Sequence, residues 1–260
     1  MARYNLLQLR EIFHIEFLRL LGRTLKGRHY ALKGGVNLRF FFKSFRYSED
    51  MDLDAHDLSV VYLKDAVMKI LDSSAFQDNL KSFGIEKIIV PNMLKAKQTE
   101  TTQRFKIHFM TSSGEELFTK IEFSRRGFSG SIAVEAIDDT ILRTYKVAPL
   151  LVPHYTGSSA IGQKLRALSG RAAIQARDIF DFYILSSQYN AGGKRLNDID
   201  EAMLIKASAR IFEVDFDQFK DTVVAYLSGE DQLVYNNPAA WDEVRLKTAQ
   251  FIEEVRKSYA

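Results

Sequence analysis

The sequence predicts an α+β fold in which a strand-rich part is followed by a helical part. Three observations carry that reading. Between Gly84 and about Thr156, "GIEKIIVP", "TQRFKIHFMT" and "ELFTKIEFSRR" alternate polar and apolar residues, as half-buried strands do. After Gly157-Ser158-Ser159 the apolar residues recur at helical spacing over 160–169, 172–188, 199–212, 215–228 and 240–258. Ahead of both, short strands and helices are interleaved.

Taken in order, Asn5 to about Lys26 is an amphipathic helix, with Leu6, Leu9, Phe13, Phe17, Leu20 and Leu21 on its apolar side. Arg10, Glu11, Glu16 and Arg19 interrupt it, so it is neither a signal peptide nor a membrane span. His29 to Leu32 reads as a short strand ending at Gly34-Gly35, "GVNLRFFFKSF" as a helix, and "RYSEDMDLDA" as a strand. Leu58 to Leu71 is helical again. "TSSGEE" predicts a hairpin turn, and "TILRTYKVAPLLVPHYTG" reads as extended chain. The change of texture places a boundary near residue 157, giving a domain of 1–157 and a helical domain of 158–260.

Composition bounds the chemistry. With 46% hydrophobic and 27% charged residues in 260, the chain can bury a sizeable core. The absence of cysteine excludes disulfides and thiolate metal sites and suits a reducing, cytoplasmic setting. A net charge of +3 does not by itself indicate nucleic-acid binding, but its distribution is uneven. Acids crowd between Glu49 and Asp57, and Lys164, Arg166, Arg171 and Arg177 crowd later. An acidic cluster opposed by a basic one is what a metal-and-phosphate site requires, although solvated helix faces show similar clusters.

Within the acidic run, Asp50, Asp52 and Asp54 alternate, so a strand would point them to one side, with Met51 and Leu53 on the other. Such carboxylates chelate a hard divalent ion; alternatively they are a solvated strand end. A calcium loop is excluded, because its sixth position would be Ala55 and its twelfth Val61 instead of glycine and glutamate. Gly34-Gly35 lies between a strand and a helix, where a phosphate can approach the backbone and meet helix amides; the bland reading is a simple turn. "NAGGKR" lacks the leading glycine of a Walker A loop. A third carboxylate would come from an adjacent strand, and Glu122 in "TKIEFSRR" is the candidate, or else an exposed acid on an edge strand. His14, His29, His56, His108 and His154 show no ligand spacing and read as structural.

In "GQKLRALSGRAAIQARDIFDFYIL", Lys164 would hold a triphosphate and Asp178 would orient it or the acceptor. The structural alternative is an interhelical salt-bridge network of Arg171, Arg177, Asp178 and Asp181, and Arg177 and Asp181 are read in that structural role.

The pieces "LKGGVNLRFFF", "RYSEDMDLD" and "GQKLRALSGRAAIQARDIFDFY", in that order, resemble the AbiEii/AbiGii toxin family of nucleotidyltransferases over about residues 30 to 185. Tyr47 stands where the family customarily has phenylalanine. The resemblance implies a polymerase-β-like mixed sheet with helices, followed by a helical-bundle domain. It implies Asp50 and Asp52 as metal ligands, to which Glu122, the candidate from the adjacent strand, would add a third. Lys33, Gly34, Gly35 and Ser48 would bind the nucleotide, and Lys164 and Asp178 would complete the site. The implied cofactor is Mg²⁺ in a two-metal site, or Mn²⁺ in its place, and the implied substrate a nucleoside triphosphate. The acceptor would be RNA, at the 3′ end of tRNA, and the partner a separately encoded antitoxin, with no membrane involved. The rivals are transfer to a small molecule or protein, and a nucleotide-binding module without catalysis. Lys95, Lys97, Arg125 and Arg126 are candidates for an RNA channel, or ordinary solvated cations.

Overall fold

The computed structural model describes residues 4–89, 96, 98–189, 196 and 199–257. Lys95, Lys97 and the NAGGK stretch lie outside the described residues. The chain divides into two compact units. The first comprises Met1–Phe41 and Tyr47–His154, the second Phe42–Arg46 and Tyr155–Ala260.

The first unit opens with α1 (Leu6–Thr24), which starts at Asn5 because that side chain accepts from the Gln8 amide while Gln8 returns the bond, closing a capping box. There follow β1 (Tyr30–Lys33), α2 (Gly34–Phe41), β2 (Met51–Ala55), α3 (Val60–Leu71), α4 (Ser74–Lys81), β3 (Ile85–Ile89), β4 (Thr102–Thr111), β5 (Glu116–Ser124), β6 (Ile132–Ala136), α5 (Asp139–Tyr145) and β7 (Leu151–Tyr155). The strands form one mixed seven-stranded sheet in the order β3-β4-β5-β2-β1-β7-β6. β2 lies near its centre, antiparallel to β1 and parallel to β5. The β4–β5 hairpin closes at Thr111–Glu115, with Gly114 at φ 84°.

Alternation sorts the sheet into two faces. Met51, Leu53, Phe105, Ile107, Phe109, Ile121 and Phe123 are buried in the core with Phe13 and Phe17 of α1. Phe13 and Phe109 stack at 5.5 Å. Burying phenylalanines of this size is worth about 1.5–3 kcal/mol each, which anchors α1 to the sheet. The other face carries Asp52, Arg104, Lys106, His108, Phe118, Lys120 and Glu122, none of them fully buried.

A charged network fixes the helices. Glu11 of α1 accepts from Arg39 Nε of α2 at 2.7 Å and from the Tyr145 hydroxyl of α5 at 2.5 Å. The Arg39 guanidinium also lies 4.3 Å over the Tyr47 ring.

The second unit contains α6 (Gly157–Gly170), α7 (Ala176–Ser186), α8 (Glu201–Arg210), α9 (Phe216–Thr222), α10 (Gly229–Tyr235) and α11 (Pro238–Lys257). Its aromatic core includes Trp241 stacked on Phe219 at 4.3 Å. No helix among the described residues is long and apolar enough to cross a membrane.

Several elements differ from the sequence reading. The stretch read as extended from Thr140 contains α5, because Asp138 caps the Thr140 amide at 2.7 Å. Ile141, Leu142 and Tyr145 then bury on one side of a two-turn helix, too short to show a period in sequence. β6 and α4 were not anticipated, the latter being an eight-residue helix begun by Ser73. The helix read over 215–228 breaks at Val223, and Ser228 starts α10.

Replacing Glu11 with Gln leaves the Arg39 guanidinium half-buried without its anion. The expected loss is about 3 kcal/mol, read as a lower urea midpoint.

Candidate active site

β1 ends at Lys33 and α2 begins at once with Gly34, whose φ of +69° lies in the left-handed region. A Cβ there would stand 2.9 Å from Asp52 Oδ2. Glycine is therefore needed twice over, for the backbone angle and for the approach of the carboxylate. Asp52 is the register partner of Lys33 on β1 and of Glu122 on β5. Asp50 stands in the bend just before β2. The chain thus brings Lys33, Gly34, Asp50, Asp52 and Glu122 together on the polar face of three adjacent strands, and Gly35 follows in the first turn of α2.

Like charges on paired strands repel, so this arrangement needs cations. Lys120 Nζ lies 2.8 Å from Asp50 Oδ2, Arg104 holds Glu122 at 2.6 Å, and Lys33 holds the buried Asp54 at 2.5 Å. Asp52 forms no ion pair among the described residues. Burial pushes its carboxyl above the ordinary range; Lys120 and Lys33 pull it down, while Glu122 and Asp50 push it further up. Among the described residues no three acids, histidines or cysteines stand ready as a closed metal cage. Lys120 and Arg104 were missed in the sequence reading. Their signal was there in the two-residue period that puts Lys120 beside Glu122 on one face, but the strand pairing that sets Arg104 opposite Glu122 was not.

The bend ahead of β2 is held from two sides. Ser48 Oγ donates to the Asp50 carbonyl at 2.8 Å. Thr119 Oγ1 donates to the Glu49 carbonyl at 2.7 Å, which leaves it to accept from His14 Nε2 at 2.9 Å. His14 is therefore a neutral donor, and burial, with Arg10 nearby, drops its pKa to about 3. Of the five histidines, this one supports the bend that presents Asp50. Of the channel candidates, Arg125 is tied to Leu58 O at 2.7 Å, Glu100 O at 3.1 Å and Gln103 at 2.8 Å, and Arg126 is exposed.

Lys164, Asp178 and Asp181 lie in the second unit. Lys164 Nζ contacts Asp178 at 2.9 Å and Asp181 at 2.7 Å. Asp181 also receives Arg46 at 2.8 Å, and Arg171 pairs with Asp178. Burial opposes the Lys164 charge, but Asp181 and Asp178 override it and hold the ammonium above its usual range. Asp181 is likewise opposed by burial, yet Arg46 and Lys164 keep it low. Arg177 is not in this cluster; its Nε donates to Gln175 at 2.7 Å.

Two outcomes follow from this geometry. Gly34→Ala should cost about 1–3 kcal/mol in chemical unfolding, from backbone strain together with the displaced Asp52 carboxylate. For His14, the unfolded state takes up a proton below its ordinary 6.5 and the native state resists to about 3, so stability falls as pH falls through that window. The slope is at most about 1.4 kcal/mol per pH unit. His14→Gln keeps a donor for Thr119 and should flatten the decline of melting temperature between pH 7 and 4.

No sequence relative is found among curated proteins. Solved structures share the fold, three of them as follows. One is a protein described as a nucleotidyltransferase from H. pylori, with 19% identity and a TM-score of 0.55 over 96% of each chain. JHP933 from Helicobacter pylori has 20% identity and a TM-score of 0.50 over 96% of this chain and 93% of that one. MenT4, a nucleotidyltransferase toxin from Mycobacterium tuberculosis H37Rv, has 18% identity and a TM-score of 0.58 over 94% and 83%. The family model for the nucleotidyl transferase AbiEii toxin of type IV toxin–antitoxin systems matches residues 16–259. With nearly the whole chain matched, the protein belongs to the AbiEii family of nucleotidyltransferase toxins.

Proposed function

We propose that the enzyme moves a nucleoside monophosphate from a nucleoside triphosphate to a hydroxyl of RNA, at the 3′ end of tRNA, with Asp50 and Asp52 at the reacting centre. The observation that carries this reading is Asp52: a half-buried carboxylate mid-sheet, without an ion pair among the described residues, beside a glycine turn and between other acids. A group so placed costs stability unless a cation completes it.

The donors fit Mg²⁺ or Mn²⁺, being hard carboxylate oxygens with no sulfur nearby. Asp50 and Asp52 would hold the ion, which commonly needs only one or two protein carboxylates. Glu122 joins them only by leaving Arg104. Bound there, a divalent cation neutralises phosphate charge and makes the acceptor hydroxyl a better nucleophile.

The chain's own groups supply the rest. Lys33 and the amides of Gly34 and Gly35, at the first turn of α2, receive the β- and γ-phosphates. Ser48 keeps the bend that presents Asp50. The acceptor oxygen bonds to the α-phosphorus, the bridging bond breaks, and pyrophosphate departs with the electron pair. Glu122, or water beside it, takes the hydroxyl proton. In the second unit we assign Lys164 to the nucleotide and Asp178 to holding that ammonium in place. The antitoxin of such a pair is a separate chain that silences this reaction, and the setting is cytoplasmic.

The test is incubation with each α-labelled triphosphate, Mg²⁺ and total RNA. Wild-type protein should label RNA with one triphosphate preferred. Asp52→Asn should lower labelling by roughly 10²–10³-fold or more while melting at the same or a higher temperature, since it removes a half-buried charge crowded by Asp50 and Glu122. Labelling by Asp52→Asn at the wild-type rate would overturn the assignment.

A further inference from the structure

Beside Asp50, on the side away from the glycine turn, the polar face of the first unit opens into a cleft of about 310 Å³. Glu49, Asp50, Lys106, His108, Phe118 and Lys120 line it. The strand register explains the grouping: Lys106 faces Lys120, and His108 faces Phe118, on the β4–β5 pair. Phe118 is 55% exposed, and the His108 ring stacks on it at 4.5 Å with 15° between planes. Its backbone is fixed too, because Arg10 Nε donates to the Phe118 carbonyl at 3.0 Å. An open, rigid aromatic face flanked by lysines is the composition of a platform for an unpaired base, with cations for its phosphates. The volume lies at the low end of the roughly 300–1,000 Å³ typical of small-ligand sites, which is room for one nucleoside and not for paired strands.

Direction decides which nucleotide it receives. Lys33 and Gly34 lie on the β1 side of Asp52, and the cleft lies on the β5 side of Asp50. In an in-line displacement the entering and leaving oxygens stand on opposite sides of the phosphorus. If pyrophosphate leaves over β1 and α2, the attacking hydroxyl enters from β5. We propose that this cleft binds the terminal unpaired nucleotide of the RNA acceptor, its base against Phe118 and His108, its phosphate at Lys106, and its 3′ hydroxyl toward Asp50. This rests on the reading of Asp50 and Asp52 as the centre of transfer.

The experiment uses the full chain and a short single-stranded oligoribonucleotide ending in 2-aminopurine, whose fluorescence is quenched by stacking. Wild-type protein without triphosphate should quench it. Phe118→Ala should weaken binding roughly 5- to 150-fold and abolish the quench, and Phe118→Trp should restore both. In transfer assays Phe118→Ala should raise KM for the acceptor by a similar factor and leave KM for the triphosphate unchanged. A rise confined to the triphosphate KM would place the incoming base in the cleft and overturn the proposal. Unchanged binding and kinetics in Phe118→Ala, with wild-type protein labelling RNA, would overturn the proposal alone. Failure of wild-type protein to label any RNA would overturn the transfer reading and the proposal together.

Discussion

The structure turns on the repulsion among Asp50, Asp52 and Glu122 and on the means by which the sheet contains it. Strand pairing sets Asp52 beside Glu122 and leaves neither free to move away. Lys120 and Arg104 offset two of the three charges from the same face, and Asp52 is left with burial against it. The unit accepts this cost because the opposite face of the same strands buries a continuous set of phenylalanines and aliphatic residues. One face stabilises the sheet while the other holds charges in a position that a fluid surface would not keep.

The two charged clusters differ in kind. In the second unit Lys164, Arg46, Arg171, Asp178 and Asp181 satisfy one another, with every carboxylate matched by cations at hydrogen-bond distance. Breaking such a buried set costs more than forming it gains, so it specifies an arrangement even where it adds little stability. In the first unit the set is incomplete, for Asp52 forms no ion pair among the described residues. Incomplete compensation in a rigid frame supports the proposed role of these carboxylates in holding a cation.

Rigidity at the acids is supplied by groups that do no chemistry. His14 and Thr119 reach the Glu49 carbonyl from the core side, and Ser48 takes that of Asp50. The positive φ of Gly34 turns the chain sharply from β1 into α2 so that the Asp52 carboxylate meets backbone instead of a side chain. Each of these contacts is short and buried or half-buried, and together they limit how far Asp50 and Asp52 can drift.

Much of this was legible in the residues. The alternation of Asp50, Asp52 and Asp54 against Met51 and Leu53 is a two-residue period, and a strand converts that period into two faces without help from the rest of the chain. The Gly34-Gly35 pair and the long helices at both ends were equally local. Elements whose signal is weaker than their context were not: α5 exists because Asp138 caps it, and α4 and α10 are each about two turns long. What the order of residues determined by itself was therefore local direction: which side chains share a face and where the chain turns. Only the tertiary structure decided which strands lie side by side, and so which cation answers which acid. Arg104 meets Glu122 and His108 meets Phe118 through pairings between strands, where distance in space owes nothing to distance along the chain.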